Sequence, residues 1–313
     1  MISLVQLEYI LAVDTYRHFA TAAEKCFVTQ PTLSMQLRKL EEQLGVKIFD
    51  RTKQPVVPTE AGKLIIEQAR NIIRERDRLE SIVEEVKGTI AGKLRIGVIP
   101  SLAPYLVPLF IGKLTKKYPL LELEIKELVT EDIVDQLKSD KLDAGILVTP
   151  LHEGGIKEKP LFYEGIKAYV NPDHELSKKE VITIEDLSSP NIWVLSQGHC
   201  FRHQVLNLCA MKQKNDSQLP FKYESGSLET LKRLVVKEGG FTLLPELAVN
   251  DINPNEKEFI RNFGEVNPLR EVSLVVVRNF AKERLISLLE ANIKSHIPEY
   301  MLDKERGQIV EWK

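Results

Sequence analysis

The 313-residue sequence predicts a two-part protein, with an all-α N-terminal domain followed by a larger α/β domain. Three observations predict this class. Helical periodicity fills the first ninety residues, a glycine-flanked break follows at 88–92, and strand patterns then alternate with helical ones. The formal net charge of -2 gives no global basic signature. Any nucleic-acid footprint must therefore be local.

The N-terminal segment has the pattern of a helix-turn-helix. Helices are predicted over 4–15, in "FATAAEKCF" and in "TQPTLSMQLRKLEEQLG", and Pro31 suits the first turn of the third helix. Val28 and Thr29 form the predicted turn. Small residues for close helix packing are Ala20, Ala22 and Ala23, and the inner stripe of the third helix is Leu33, Leu37, Leu40 and Leu44. The pattern predicts a recognition helix packed on its neighbour.

The outer face of this third helix is polar near its N-terminus, where recognition helices reach base edges in the major groove. Between positions 25 and 53 there are six basic and three acidic residues, a local excess suited to phosphate contact. Arg51 and Lys53 follow on a predicted wing. The predicted DNA contacts are Gln30, Pro31, Thr32, Ser34, Met35, Arg38, Arg51 and Lys53.

A long helix is predicted from Thr59 to about residue 87. Ile65, Ile72, Leu79 and Val86 recur every seven residues along it. This spacing favours a coiled-coil seam between two subunits. The alternative is a helix packed on its own domain.

After the break, "KLRIGVIP", "LELEIKEL", "LDAGILV", "NIWVLS" and "FTLLP" have strand patterns with helices between them, which is typical of βαβ units. The segment from Tyr163 to Val170 is predicted to cross between two lobes. Ligands in such sheets lie beyond the carboxyl ends of strands. Ser101 and Thr130 follow the first two strands, and the alternative for each hydroxyl is a helix N-cap.

The stretches "AAEKCFVTQPTLSMQLRKLEEQLGVKIFDR" and "VPTEAG" resemble the N-terminal domain of LysR-type transcription regulators, and the resemblance covers the whole chain. It implies a winged helix-turn-helix domain at 1–58, a dimerising linker helix at 59–90 and a regulatory domain at 91–313. The regulatory domain should be periplasmic-binding-protein-like, with two Rossmann-like lobes. Lobe I would span about 91–163 and 269–313, and lobe II about 164–268. The resemblance further implies a homodimer assembled into a homotetramer that binds double-stranded promoter DNA and RNA polymerase.

Two of the three cysteines lie in "GHCFRHQVLNLC", and this stretch resembles the peroxide-sensing members of that family, as do "IPSLAPYLVP", "SLETL" and "TLLP". The resemblance implies that Cys200 is peroxidatic and Cys209 resolving. It also implies activation of oxidative-stress genes, with glutaredoxin or glutathione as reductant. The alternatives for the pair are two buried packing cysteines or a zinc site, and for Cys26 we expect a small buried apolar residue.

The chemistry of such a sensor needs a thiolate together with donors that hold the peroxide oxygens. The expected peroxide-binding or thiolate-activating residues are Ser101, Thr130, His199, Arg202 and Arg270, with Arg270 chosen only because it matches a basic position of the family. The sequence departs from the pattern in two places. Ser101 stands where Thr is expected, and His203 stands where Asp is expected.

The spacing of the two cysteines predicts a conformational switch. In a helix, nine residues span about 13 Å and about 900° of rotation, so the thiols of Cys200 and Cys209 would face opposite sides. A disulfide needs Cα atoms within about 7 Å. The helix must then partly unwind before the bond can close, and we expect this refolding to repack a subunit interface.

The predicted function is therefore a hydrogen-peroxide-sensing transcription activator, with no cofactor and no metal. One alternative is a LysR-type regulator that responds to a small metabolite between the lobes. A thiol peroxidase has no use for the helix-turn-helix, so no enzyme is expected. A free solute-binding protein would need a secretion signal, and neither a signal peptide nor a membrane span is recognisable, so the expected location is cytoplasmic.

Overall fold

The computed structural model describes residues 2–86, 89–189, 191–208, 224–264, 266–278, 280 and 282–310. The chain divides into two compact units. The first comprises Met1–Thr89 with Asn279–Glu283, and the second comprises Ile90–Arg278 with Arg284–Lys313. Each unit is considered on its own below.

The first unit is a winged helix-turn-helix, as predicted. Its elements in chain order are α1 (Leu4–Tyr16), α2 (Phe19–Lys25), α3 (Gln30–Leu44), β1 (Phe49–Asp50), β2 (Val57–Pro58) and α4 (Glu60–Val86). Thr29 caps α3 by accepting the Thr32 N–H, and Gly45 ends the helix in the left-handed conformation with φ 69°. The antiparallel pair β1–β2 forms the wing.

The predicted inner stripe of α3 is buried, because Leu33, Leu37 and Leu40 are at most 1% exposed. Ala22 and Ala23 pack into the same core, whereas Ala20 is exposed, so the expectation of close packing was wrong for that residue. Cys26 is partly buried against the core, and burial raises the pKa of its thiol. This thiol is therefore a poor competitor for peroxide.

A buried carboxylate joins the recognition helix to the wing. The side chain of Glu41 is only 1% exposed, and its Oε1 accepts the backbone N–H groups of Ile48 at 2.8 Å and Phe49 at 3.3 Å. Its Oε2 accepts Arg51 Nη2 at 3.0 Å. Arg51 also donates to the Ser34 hydroxyl and lies over the Phe19 ring. The wing therefore depends on one charged side chain for its place beside α3.

Glu41→Gln is expected to destabilise the first unit by about 1 to 3 kcal/mol, because a neutral amide accepts weaker hydrogen bonds from the wing than the buried carboxylate does. Hydrogen exchange of the full-length protein should show faster exchange at the amides of α3 and the wing. Glu42→Ala is the matched control, since Glu42 is exposed on the same helix. Equal exchange in the two variants would contradict this role of Glu41.

The long helix α4 begins at Glu60 and carries an unpartnered apolar surface. Leu64, Leu79 and Ile82 are 71%, 64% and 52% exposed. Of the predicted heptad residues, Ile72 is 40% exposed while Ile65 packs partly against the core of its own unit. Ile65 therefore fits the alternative of a helix packed on its own domain, and the seam with a second subunit stays a prediction.

The second unit is built on a nine-stranded mixed sheet with strand order β4-β3-β5-β10-β6-β9-β7, in which β11 also pairs with β10 and β8 with β6. Parallel pairing joins β3 to both β4 and β5, whereas β6 and β10 run antiparallel to each other. The strands are β3 (Gly92–Val98), β4 (Leu121–Glu127), β5 (Ala144–Thr149), β6 (Ile156–Val170), β7 (Val181–Ile182), β8 (Phe241–Pro245), β9 (Ile260–Phe263), β10 (Pro268–Val277) and β11 (Gln308–Ile309).

Helices cover this sheet and connect its strands. They are α5 (Ala103–Lys117), α6 (Thr130–Lys138), α7 (Cys200–Leu208), α8 (Leu228–Glu238), α9 (Glu246–Asn250) and α10 (Glu283–Lys294). Among the described residues, no helix is both long and apolar enough to cross a membrane.

Two details of this unit differ from the sequence prediction. The crossing strand starts at Ile156 rather than Tyr163, because its first half pairs with β10. The stretch "NIWVLS" is not a strand and contributes only an isolated bridge from Ile192 to Phe241. Its neighbour Trp193 instead donates its indole N–H to the Gly239 carbonyl.

Candidate functional site

A small pocket opens where the carboxyl ends of two parallel strands meet the start of α7. The loop after β3 supplies Ser101, the first residue of α6 supplies Thr130, and the first residue of α7 supplies Cys200. The space between its walls is narrow: it is about 170 Å³ with the open solvent at its mouth included, and its interior has no room for a water molecule. Its walls are Ile99, Pro100, Ser101, Val129, Thr130, Gly198, His199 and Cys200.

Cys200 is the first residue of α7 and is 4% exposed. Gly198 allows the turn into the helix with φ 90°, a conformation that residues with a Cβ rarely adopt. The position at a helix N-terminus favours an anion there. The thiol is free, as expected for the reduced state.

Arg270 is the cation beside this pocket, and it is fully buried. Its Nη1 donates to the Ser101 hydroxyl at 2.9 Å, and its Nη2 donates to the Ser101 carbonyl at 3.2 Å. Its guanidinium carbon lies 5.1 Å from the centroid of the Phe201 ring. Because Ser101 accepts from Arg270, its own hydroxyl proton is left to donate into the pocket.

Burial raises the pKa of the Cys200 thiol above its ordinary value. The charge of Arg270 is the strongest opposing influence, followed by the Thr130 hydroxyl and the Phe201 backbone N–H, while Glu131 adds to the rise. The resting thiol is thus protonated near neutral pH, and its thiolate is stabilised mainly by Arg270.

The Thr130 hydroxyl is buried and has no partner of good hydrogen-bond geometry among the described residues. It nevertheless lies close enough to Cys200 to favour the thiolate. Neither Thr130 nor Ser101 caps a helix through its side chain, so the N-cap alternative does not hold for either. An unsatisfied donor beside a thiol is suited to a small polar ligand.

His199 and Arg202, the two expected thiolate-activating residues on either side of Cys200, have different surroundings. His199 lines the pocket, but burial lowers its pKa, so it stands there as a neutral imidazole. Arg202 does not line the pocket, and its Nη1 donates to the Leu195 carbonyl at 2.6 Å. His203 is exposed. Of the two arginines expected from the sequence, Arg270 is the one whose charge lowers the pKa of the Cys200 thiol.

One further group belongs to this site. Glu164 on β6 is a fully buried carboxylate that pairs with Arg270, and it was missed from the sequence because the same strand carries several other charged residues. The predicted resolving residue Cys209 lies outside the described residues, whereas α7 is helical from Cys200 to Leu208. Within the described residues, no cluster of three or more His, Cys, Asp or Glu side chains could hold a metal ion.

The predicted DNA-contacting residues lie on α3 and just after β1 in the first unit. The exposed ones are Gln30, Pro31, Thr32, Met35, Arg38 and Lys53. Ser34 and Arg51 are half-buried and hydrogen-bonded to each other at 3.1 Å. Arg51 therefore already has partners within the fold.

Comparison with protein families identifies both units. Residues 4–63 match the family described as "Bacterial regulatory helix-turn-helix protein, lysR family". Residues 87–295 match the LysR substrate binding domain. These matches define a DNA-binding transcription regulator rather than an enzyme.

Individual relatives narrow the class further. The chain is 36% identical to the hydrogen peroxide-inducible genes activator of Pectobacterium carotovorum, over 94% of this chain and 97% of that protein. It is 40% identical to the DNA-binding transcriptional dual regulator OxyR of Escherichia coli, over 78% of this chain and 79% of that protein. A full-length OxyR variant from Pseudomonas aeruginosa superposes with a TM-score of 0.77 at 33% identity, covering 95% and 99% of the two chains. The chain belongs to the LysR family, in its OxyR group, which confirms the resemblance read from the sequence.

Proposed function

We propose that this protein is a transcription activator that senses hydrogen peroxide through Cys200. The observation that carries the proposal is the buried thiol at the start of α7, facing Thr130 and Ser101 and stabilised as thiolate by Arg270. The names of the relatives, hydrogen peroxide-inducible genes activator and OxyR, agree with this chemistry.

In the proposed reaction, the Cys200 thiolate attacks one peroxide oxygen. An S–O bond forms, the O–O bond breaks, and the second oxygen leaves as hydroxide that takes up a proton to become water. The hydroxyls of Ser101 and Thr130 and the neutral His199, which all line the pocket, would donate to the two oxygens. Sulfur is oxidised to sulfenic acid, and the peroxide is reduced.

The second proposed step uses Cys209. Its thiol condenses with the sulfenic acid, an S–S bond forms and water leaves. Because α7 holds Cys200 at its first residue and is helical through Leu208, the disulfide requires part of the helix to unwind. The resulting change would pass to the DNA-binding units. Glutaredoxin or glutathione would restore the thiols by exchange.

DNA recognition is proposed for the exposed outer face of α3. Gln30, Thr32, Met35 and Arg38 would meet base edges or phosphates in the major groove. Pro31 and Ser34 would lie beside them, with Lys53 and Arg51 on the wing. The exposed apolar residues of α4 support a dimer, and the group resemblance supports a cytoplasmic homotetramer that engages RNA polymerase.

The proposal is tested by transcription. DNA fragments retained by the purified protein are identified, and transcription from them is measured before and after about one equivalent of hydrogen peroxide. We expect peroxide to raise transcription and a thiol reductant to reverse it. Transcription that ignores peroxide but follows a small metabolite would establish the alternative regulator instead.

A further inference from the structure

The ion pair that holds Arg270 is a cross-strand pair in the middle of the sheet. Arg270 on β10 and Glu164 on β6 are direct partners in the antiparallel register. Arg270 Nε and Nη2 donate to Glu164 Oε2 at 2.7 and 2.6 Å, and both side chains are 0% exposed. The pair is shielded from solvent, so each charge acts strongly on its neighbours.

Glu164 is itself fixed from a second direction. Its other oxygen, Oε1, accepts the backbone N–H of Leu247 at 2.8 Å at the start of α9. Burial raises the pKa of this carboxyl, whereas Arg270 and the Leu247 N–H oppose the rise. A carboxylate held by one cation and one helix-terminal N–H is retained as an anion in a dry site.

The opposite side of the same guanidinium faces the reactive site. Its Nη1 contacts the Ser101 hydroxyl, and its plane lies by Phe201, the residue that follows Cys200. One guanidinium thus joins the carboxylate on one side to the peroxide pocket on the other. Its influence on the thiol depends on how much of its charge the carboxylate already offsets.

We infer that Glu164 is a positioning residue that holds the Arg270 guanidinium against Ser101 while its negative charge limits how strongly that cation stabilises the Cys200 thiolate. The inference rests on the proposed peroxide-sensing function of Cys200. As a consequence of the Glu164 charge, the Cys200 thiol stays mostly protonated at rest. Its oxidation then requires peroxide that is bound by the pocket donors, and oxidants that do not bind there react slowly.

The other titratable groups near the Cys200 thiol and the Arg270–Glu164 ion pair do not take over the role of Glu164. The titratable groups that act on the thiol or on the ion pair, besides Arg270 and Glu164 themselves, are Glu131, His199, Glu246 and Tyr105. His199 is neutral, and Tyr105 donates its hydroxyl proton to Glu229. Glu246 is already paired with Arg306 and accepts the Gly165 N–H.

The test is a titration of the Cys200 thiolate by its ultraviolet absorbance, in full-length protein carrying Cys26→Ser and Cys209→Ser. Glu164→Gln keeps the shape and the acceptor for Leu247 but removes the charge. We expect the midpoint to fall by about one pH unit, so that the thiolate fraction at neutral pH rises about tenfold. A midpoint that stays or rises would overturn the inference, since a purely structural role would loosen Arg270 and raise it.

Two variants control this result. Glu246→Gln removes a charge from the neighbouring pair and should move the midpoint by less than about 0.3 unit, because that carboxylate is paired with Arg306 rather than Arg270. Glu164→Asp shortens the side chain by one methylene group, which moves the carboxylate away from Arg270 but keeps the ion pair. This variant should therefore fold even if Glu164→Gln does not. We expect a smaller fall in the same direction, and no fall would overturn the inference.

The same samples separate the two proposals. Protein with the wild-type Glu164 is exposed to hydrogen peroxide, and sulfenic acid at Cys200 is trapped. If no sulfenic acid forms, the proposed function itself fails. If it forms while Glu164→Gln leaves the titration unchanged, only the role of Glu164 is refuted.

Discussion

Cys200→Ser is expected to abolish the response to hydrogen peroxide while leaving DNA binding intact. A serine hydroxyl keeps the size of the side chain but has no accessible anion and no oxidation state that peroxide can reach under mild conditions. Because Cys200 belongs to the second unit and is buried, its replacement leaves the residues of the DNA-binding unit unchanged. Transcription from bound promoters should stay at the level of the reduced protein at every peroxide dose.

The matched control is Cys26→Ser. Cys26 is partly buried against the core of the first unit, and burial raises its pKa, so its removal should leave the peroxide response unchanged. A Cys200→Ser protein that still responds to peroxide would refute the sensor role of that cysteine. A response lost in Cys26→Ser alone would move the sensor to the DNA-binding unit.

Arg270→Met should have the second-largest effect, and it should act on both stability and reactivity. The substitution leaves the Glu164 carboxylate buried without its partner, which is expected to cost about 3 to 5 kcal/mol of unfolding free energy. It also removes the main charge that stabilises the thiolate, so the pKa of Cys200 should rise further. A rise of one unit lowers the thiolate fraction, and hence the oxidation rate near neutral pH, about tenfold.

The double variant Arg270→Met with Glu164→Gln separates these two effects. Removing both charges should recover most of the lost stability, since no unpaired charge remains. The oxidation rate should stay low, because the cation is still missing. Thermal unfolding and the initial rate of thiol loss measure the two quantities, and recovery of the rate in the double variant would contradict the role of Arg270.

The first unit was predictable from the sequence because its determinants are local. The leucine stripe of α3, the Thr29 cap and the Gly45 terminus all belong to one helix, and each acts on residues within about one turn of itself. The wing clamp was not predictable, since Glu41 and Arg51 look like ordinary surface charges until the chain folds back.

The peroxide site was predictable only in part. Cys200, Ser101 and Thr130 could be placed because each follows a recognisable strand or motif. The activating cation could not be chosen from spacing, because Arg270 is 169 positions from Ser101 and is brought to it by the sheet, in which β5 lies between β3 and β10. Arg202 is nearer to Cys200 in the sequence, but its guanidinium donates to the backbone carbonyl of Leu195.

The same limit explains the missed strand boundary. A parallel or antiparallel pairing depends on a partner far along the chain, and β6 extends to Ile156 because β10 supplies that partner. The stretch at 191–196 has β-forming residues, yet only Ile192 pairs with a neighbouring strand. The residue pattern alone therefore predicted a strand where the structure has a single bridge.

The central claim is that peroxide oxidises Cys200 and that Cys209 resolves it. Thiol mapping by mass spectrometry tests this most directly, after treatment with about one equivalent of hydrogen peroxide, alkylation and digestion. We predict a cross-link between Cys200 and Cys209 that is absent from Cys200→Ser, with Cys26 still alkylated. Both cysteines remaining free at a dose that oxidises a peroxidase control would contradict the account.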